Sequence, residues 1–444
     1  MARRSNPKPP AAPVELTIES LSHDGRGIAR RNGKLLFVDN GLPGERLLAR
    51  IEARHSRYDE AVAETIVEAV EQRRVPACPH TARCGGCSLQ HFDSEAQIIW
   101  KQQVLGEQLR HFGKLEPEQW LPPLTGPVVG YRRRARLSVR FVHKRGQLML
   151  GFRERNSHFV TEIDHCLVLD PRIDQRLPAL AALLEQLDGR TEIPQVEVAC
   201  GDERVALVVR HLQPLGQADS ARLADFARQE DFDLYLQPGG IDRLIKLWPQ
   251  DAEQWLSYAL PDFALELRFH PLDFVQVNPI INRAMVRQAM ELLAPTADDR
   301  LLDLFCGLGN FTLPLAQAAQ SVVGVEGSPT LVARGRQNAL LNGIDNAAFH
   351  AANLDEAAWR QAPWAQQKFT QVLIDPPRSG AEAVVSEISR LGIRRLLYVS
   401  CNPATLARDA GVLKRQGYRL THAGVMDMFP HTRHVESMAL FVHG

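Results

Sequence analysis

Seven cysteines are spread over 444 residues, and their settings point to two different chemistries. Cys401 stands alone in YVSCNPATLARD, just past an apolar run that reads as a strand. The Asn402-Pro403 step enforces a turn there and presents the side chain. A thiol so placed is a candidate covalent nucleophile, and only its thiolate adds effectively. It therefore needs a nearby base or a depressed pKa. On the preceding strand, QVLIDPPR puts Asp375 at the tip. In MDMFPHTRHVESMALF, Glu436, His431 and His434 are alternative proton acceptors, and the sequence alone leaves them open. Cys306 is a competing thiol, but its glycine turn would face it to a cofactor rather than to a reacting ring.

The second chemistry is metal binding. Cys78, Cys84 and Cys87 follow C-x5-C-x2-C in PACPHTARCGGC. Three thiols at this spacing point to a metal, and Gly85 and Gly86 free the backbone to wrap around sulfurs. Cys166, in TEIDHCLVLD, is the best fourth ligand. Cys200 lies inside an apolar strand, and His80 and His91 are nitrogen options. Four thiolates suit zinc or an iron–sulfur cluster alike, so spacing does not choose between them. An odd number of cysteines in a long chain argues against a disulfide framework.

Elements must carry these groups to one place. From about residue 264, strand-like and helix-like runs alternate, which predicts a mostly parallel sheet covered on both faces. In such sheets ligands bind outside the carboxyl ends of the strands. LLDLFCGLGNFTLPLA is a strand, a glycine turn and a helix start. Gly307 and Gly309 allow close approach of a ligand, whereas Thr312 stands where a dinucleotide fingerprint needs a third glycine. SVVGVE ends in Glu326, placed to accept ribose hydroxyls, and FHAAN ends in Asn353, whose amide can read an adenine edge. Glycine turn, acid, amide and Asp375 follow one another at successive strand ends. This order resembles the class I S-adenosylmethionine methyltransferases.

The upstream part reads differently. Residues 1–13 are basic and Pro-rich and read as a disordered tail. Residues 14–70 hold short strands and tight Gly turns, which suits a small β-barrel of the oligonucleotide-binding type. Residues 94–112 read as a helix with Ile98, Ile99, Leu105 and Leu109 on its apolar side. From about 126 to 262 the pattern is α+β, with helices near 173–187 and 218–230. The net charge is zero, yet residues 131–155 carry nine Lys/Arg against one acid. Within them, YRRRARLSVR would align Arg132, Arg134 and Arg136 on one face of a strand, a row suited to phosphates. The sequence has no secretory leader and no apolar run long enough to span a bilayer.

Assembled, these motifs are similar to those of the RNA uracil-5 methyltransferase family. The resemblance runs from about residue 14 to the C-terminus and includes PxCPHxxxCGGC, GYRRRARLS, FVQVN, DLFCGLGNFTLPLA, VVGVEG, VSCNPATLARD and DMFPHTRHVESM. It implies three domains: an N-terminal TRAM β-barrel (14–70), a central α+β domain with the cysteine cluster (71–262) and a Rossmann-like class I methyltransferase domain (263–444). The helix at 94–120 would pack on the catalytic domain. It implies that Cys401 adds to carbon 6 of uracil, so that carbon 5 can take a methyl group, and that Glu436 removes the carbon 5 proton. Gln276, Phe305, Asn310, Glu326, Asn353 and Asp375 would surround S-adenosylmethionine. Cys78, Cys84, Cys87 and Cys166 would hold a 4Fe-4S cluster. The presence of both barrel and cluster favours the branch acting on bacterial 23S ribosomal RNA, as a cytoplasmic monomer without membrane contact. The alternatives are the same chemistry on tRNA, or a non-catalytic iron–sulfur RNA-binding assembly factor.

Overall fold

Alternating apolar and polar residues over 14–68 form six strands in the computed structural model, which describes residues 12–155, 157–239, 243–251 and 255–444. The expected N-terminal tail therefore lies, up to residue 11, outside the described residues. The chain divides into two compact units. The first comprises residues up to Thr81, Gly86–Trp100 and His431–Arg433, and the second holds the rest.

In the first unit, β1 (Val14–Thr17), β2 (Ser20–Leu21), β3 (Gly27–Arg31), β4 (Lys34–Asp39), β5 (Arg46–Arg54) and β6 (Tyr58–Glu68) form one sheet in the order β1-β5-β6-β4-β3-β2. Register shifts between β5 and β6 bend it. Its inner face buries Leu16, Ile18, Leu36, Val38 and Leu47. Glu45 is fully buried and its carboxylate is held by the Arg73 guanidinium, with one bond of 2.7 Å. This pairing answers the cost of burying a carboxylate.

The helix α1 (Ser94–Gln108) continues into a π-turn at Leu109–Gly113. Its buried stripe is Ile98, Lys101, Leu105 and Leu109. Ile99 is 58 % exposed, so the expected apolar face is corrected: Lys101 occupies the position given to Ile99. The spacing of three and four residues from Ile98 to Leu109 runs through Lys101 and leaves Ile99 off the stripe.

In the second unit, β7 (Gln119–Trp120) is followed by β8 (Arg134–Val142), β9 (Gln147–Arg153), β10 (Val160–Glu162), α2 (Pro171–Asp174) and α3 (Leu177–Gln186). Then come β11 (Gln195–Cys200), β12 (Val205–His211), α4 (Gln217–Gln229), β13 (Phe232–Pro238) and β14 (Ile245–Trp248). Strands β8 to β14 order as β10-β9-β8-β11-β12-β13-β14, with β12 and β13 parallel and joined through α4. One face buries Leu137, Leu150, Val196 and Leu207 under α3 and α4, each contributing roughly 1.5–3 kcal/mol. The expected arginine row is corrected. Arg134 is held inside by the Pro271 and Asp273 carbonyls, and Arg132 donates to the Arg134 carbonyl. Only Arg136 and Arg140 of this strand face are exposed. The strand starts at Arg134, and its neighbours consume the first guanidiniums as struts.

A hairpin of β15 (Leu256–Leu260) and β16 (Leu265–Phe269) leads to α5 (Pro279–Leu293). The rest alternates: β17 (Arg300–Leu304), α6 (Thr312–Ala318), β18 (Ser321–Glu326), α7 (Pro329–Leu341), β19 (Ala347–Ala351), β20 (Gln371–Ile374), α8 (Glu382–Val385), β21 (Arg395–Ser400), α9 (Pro403–Arg415), β22 (Tyr418–Met426) and β23 (Glu436–His443). The sheet order is β19-β18-β17-β20-β21-β23-β22-β7. The first five strands are parallel and read as near-continuous apolar runs because both faces are covered. β23 inserts antiparallel between β21 and β22. Strand order reverses at β17 and β20, which opens a crevice at their carboxyl ends. Among the described residues no helix is long and apolar enough to cross a membrane.

Candidate active site

The crevice is floored by the turn after β17. Phe305 adopts φ +63°, followed by Gly307 at +56° and Gly309 at +101°. A left-handed phenylalanine is a costly backbone state that persists only where its surroundings enforce it. The result is a tight loop whose Gly307 N–H donates to Glu326 Oε2 at 3.2 Å, while Ser328 N–H, just past β18, donates to Oε1 at 2.9 Å. Glu326 is thus oriented at the tip of β18, beside the loop. Asn310 is fixed by a reciprocal amide pair with Asn282 (2.9 and 3.0 Å) and by the Tyr258 hydroxyl at 2.9 Å. Gln276 lines a small cavity with Tyr258, Asn282 and Arg133, so it joins the Asn310 cluster. Asn353 lies two residues past β19, on the edge next to Glu326, where Ala351 pairs with Glu326. It is exposed and its amide donates to Glu356 at 2.7 Å.

Asp375 follows β20, its N–H bound to the Leu304 carbonyl at 3.2 Å. Burial pushes its carboxyl up to about 7. Asp303, inside β17, is fully buried. It accepts from Thr312 Oγ1 at 2.5 Å, and its Oδ1 has no hydrogen-bond partner among the described residues. Burial raises it to about 7 as well, and Asp375 and Glu326 add to the rise.

Cys401 follows β21. Antiparallel pairing of β21 with β23 sets Ser400 opposite Ser437, so the next pair in the same register is Cys401 and Glu436. The Asn402 side chain caps α9 by accepting from Ala404 N–H at 3.2 Å and donates to the Arg378 carbonyl at 3.0 Å. The turn carrying the thiol is thereby tied to the Asp375 loop. Burial pushes the Cys401 thiol up to about 11, with Glu436 and Asp375 raising it further and Arg378 opposing them. Burial also lifts Glu436 to about 8; Asp375 raises it, and Lys101 and Arg378 pull it down. The His431 N–H and Nδ1 face Gln97 within the first unit, at 2.9 and 3.4 Å. The His434 ring lies against Phe429 at 5.4 Å between centroids. Cys306 is buried, and burial raises its thiol well above the usual range.

A parallel-sheet crevice with a strained glycine loop, an acid at the tip of β18 and a thiol in register with a carboxylate is an arrangement that suits a base-methylating enzyme. Residues 93–443 match the tRNA (Uracil-5-)-methyltransferase family, and residues 13–63 match the TRAM domain. This chain belongs to the tRNA (uracil-5-)-methyltransferase family. It is 52 % identical, over 99 % of both chains, to the 23S rRNA (uracil(1939)-C(5))-methyltransferase RlmD of Hahella chejuensis. It is 54 % identical, over 97 % of both chains, to the protein of the same name in Alkalilimnicola ehrlichii. Among solved structures, the Pyrococcus abyssi tRNA (uracil-54, C5)-methyltransferase, in complex with S-adenosyl-L-homocysteine, superposes with a TM-score of 0.75. It is 25 % identical, and the match covers 96 % of this chain and 99 % of that one. The architecture is an N-terminal TRAM domain followed by the S-adenosylmethionine methyltransferase fold.

This uracil-5 methyltransferase site includes side chains that the sequence reading did not single out: Tyr258, Asn282, Asp303 and Lys101. An aspartate within the apolar run LLDLF and a lysine on the apolar stripe of α1 were the available signals. Tyr258 and Asn282 gave none, because their role depends on where β15 and α5 pack.

Of the cysteines singled out as metal ligands, Cys84 and Cys87 are buried and Cys78 and Cys166 half-buried. Cys78 and Cys87 belong to the first unit, Cys84 and Cys166 to the second. The Cys78 N–H donates to Gln90 Oε1 at 3.2 Å. Cys84 bridges to Glu154, and a Cβ at Gly85 would come within 2.8 Å of the Arg153 carbonyl, so only glycine fits there. The Cys166 N–H donates to the Asp174 carboxylate. Among the described residues no group of three or more His, Cys, Asp or Glu side chains stands in metal-holding geometry.

Proposed function

We propose that this protein methylates carbon 5 of one uridine in 23S ribosomal RNA, with Cys401 as nucleophile and Glu436 as the base. The observation that carries this reading is the register of β21 against β23, which brings the thiol and the carboxylate to one strand end beside Asp375. Sγ of Cys401 adds to carbon 6 of the uracil and makes carbon 5 nucleophilic. S-adenosylmethionine supplies the electrophilic methyl group that carbon 5 takes, and S-adenosylhomocysteine is released as the sulfonium–methyl bond breaks. Glu436 then removes the carbon 5 proton, the double bond reforms and Sγ leaves. Gln276, Phe305, Asn310, Glu326, Asn353 and Asp375 are the residues proposed to bind the methyl donor. The division into barrel (14–70), central domain (71–262) and catalytic domain (263–444) is part of the same proposal, as is a cytoplasmic monomer.

Relatives above 50 % identity are named for 23S rRNA, and the tRNA enzyme at 25 % is the more distant, so the ribosomal substrate is favoured. The experiment is to map 5-methyluridine in RNA from cells with and without this protein, and with Cys401→Ala. Loss of a single 23S rRNA methyluridine supports the proposal. Loss from tRNA alone, or undiminished methylation by Cys401→Ala, overturns it.

A 4Fe-4S cluster on Cys78, Cys84, Cys87 and Cys166 belongs to this reading. Four cysteine thiols are a donor set that suits it, and the Gly85 turn admits no side chain. Methyl transfer needs no electron from such a cluster, so its role is structural.

A further inference from the structure

Lys101 lies on the buried stripe of α1, and its side chain is 0 % exposed. A buried ammonium is costly unless it is paired and fully hydrogen-bonded. Here Nζ donates to Asp427 Oδ1 at 2.7 Å and to the Phe429 carbonyl at 3.0 Å. Asp427 directly follows β22, whose last residue, Met426, pairs with Glu436. The ammonium is therefore anchored at the strand end that carries the carboxylate assigned as base. The charged groups around that carboxylate are Asp375, which opposes its ionisation, Arg378 and Lys101, which favour it, the thiol of Cys401, and Asp427 on the far side of the ammonium.

We propose that Lys101 is a positioning residue for proton removal: anchored by Asp427 and the Phe429 carbonyl, its buried charge favours the carboxylate form of Glu436. The inference rests on the reading of Glu436 as the base. Burial and Asp375 already raise Glu436 to about 8, against the pull of Lys101 and Arg378. Reciprocally, burial lowers Lys101, and Asp427 and Glu436 hold it up. Removing the ammonium raises the proton affinity of Glu436 further. Less carboxylate is then present at neutral pH, and the methylated adduct waits longer for release. The loss reverses as pH rises through the new pKa. A purely structural ion pair would change stability and leave this pH dependence alone.

The test uses the full chain, S-adenosylmethionine and transcribed 23S rRNA, with release of the covalent protein–RNA adduct followed from pH 6 to 10. Lys101→Met removes the charge. Lys101→Gln also removes it but keeps a donor for Asp427 and the Phe429 carbonyl, and serves if the first variant does not fold. Folding is checked by Tm and by binding of S-adenosylhomocysteine. The expected result is adduct accumulation and release slowed about tenfold or more at pH 7.5, one decade per unit of pKa shift, with recovery above pH 9. A folded variant that releases RNA with the parent pH profile overturns the proposal. Glu436→Gln separates the two readings. If it releases RNA at the parent rate, the base assignment itself fails. If it traps the adduct while the Lys101 variants do not, only the role of Lys101 fails.

Discussion

A thiol near 11 beside carboxylates near 7 and 8 describes a nucleophile held in reserve. At pH 7.5 the free protein keeps Cys401 as thiol, with roughly one part in a thousand or less as thiolate. Site-resolved alkylation by iodoacetamide is therefore expected to be slow at neutral pH and to climb steadily towards pH 10. Glu436→Gln removes a negative charge opposite the sulfur and should speed alkylation of Cys401 at pH 8 several-fold; an unchanged rate would show that the carboxylate is not felt by the thiol. Asp303 makes a second residue-scale case. Its folded pKa of about 7 lies above the value of an unfolded aspartate. Between those two values the folded chain binds a proton that the unfolded chain does not, so its contribution to stability falls as pH rises from about 4 to 7. Asp303→Asn keeps an acceptor for Thr312 and should raise Tm at pH 8 relative to the parent, by up to a few kcal/mol of stability. The gain should vanish near pH 4, as thermal melts at the two pH values would reveal.

At the scale of elements, the site is made by strand ends and the turns that close them. Parallel pairing of β20 with β21 brings Asp375 next to the Cys401 turn, and antiparallel β23 returns Glu436 to the same edge. Asn402 joins the two loops by capping α9 and bonding the Arg378 carbonyl. Asn402→Ala should cost about 1 kcal/mol through the lost cap and lower Tm by a few degrees. Because the same amide positions the thiol, turnover should fall more than stability alone explains. A variant with the expected Tm loss but parent turnover at low temperature would separate capping from positioning. In the central sheet, Arg134 serves the Pro271 and Asp273 carbonyls, which leaves Arg136 and Arg140 as the phosphate candidates of that strand. Arg136→Ala and Arg140→Ala should each reduce the salt slope of RNA affinity by about one, whereas a slope equal to the parent's would remove both from the RNA surface.

At the scale of the whole molecule, the chain couples a TRAM domain to a methyltransferase fold, and the cysteines singled out as ligands are divided between its two compact units. A cluster on them would stabilise the fold by binding the native but not the unfolded chain. Protein purified without oxygen should be brown, carry iron and acid-labile sulfide in equal amounts, and lose both in Cys84→Ser, with a lower Tm. Stoichiometric zinc in place of iron would refute the iron assignment.

The sequence by itself determined the local signals. Apolar runs marked the parallel strands, Gly307 and Gly309 marked the loop, and the tips at Glu326, Asp375 and Cys401 followed from where those runs stop. The α+β character of the central region was legible too, and its β8–β9 and β11–β12 pairs join neighbours along the chain. Register and burial were not legible, because they depend on contacts between residues far apart in sequence. Only the insertion of β23 beside β21 put Glu436 in register with Cys401, one step beyond the pairing of Ser400 with Ser437. Only packing revealed that Lys101 replaces Ile99 on the buried stripe, that Arg134 is a strut, and that Asp303 is sealed from water. The left-handed backbone at Phe305 is likewise a property of the folded loop, since no residue type announces it. A sequence states which groups are available, and the tertiary fold decides which charges share a low-dielectric space, which is what sets their proton affinities.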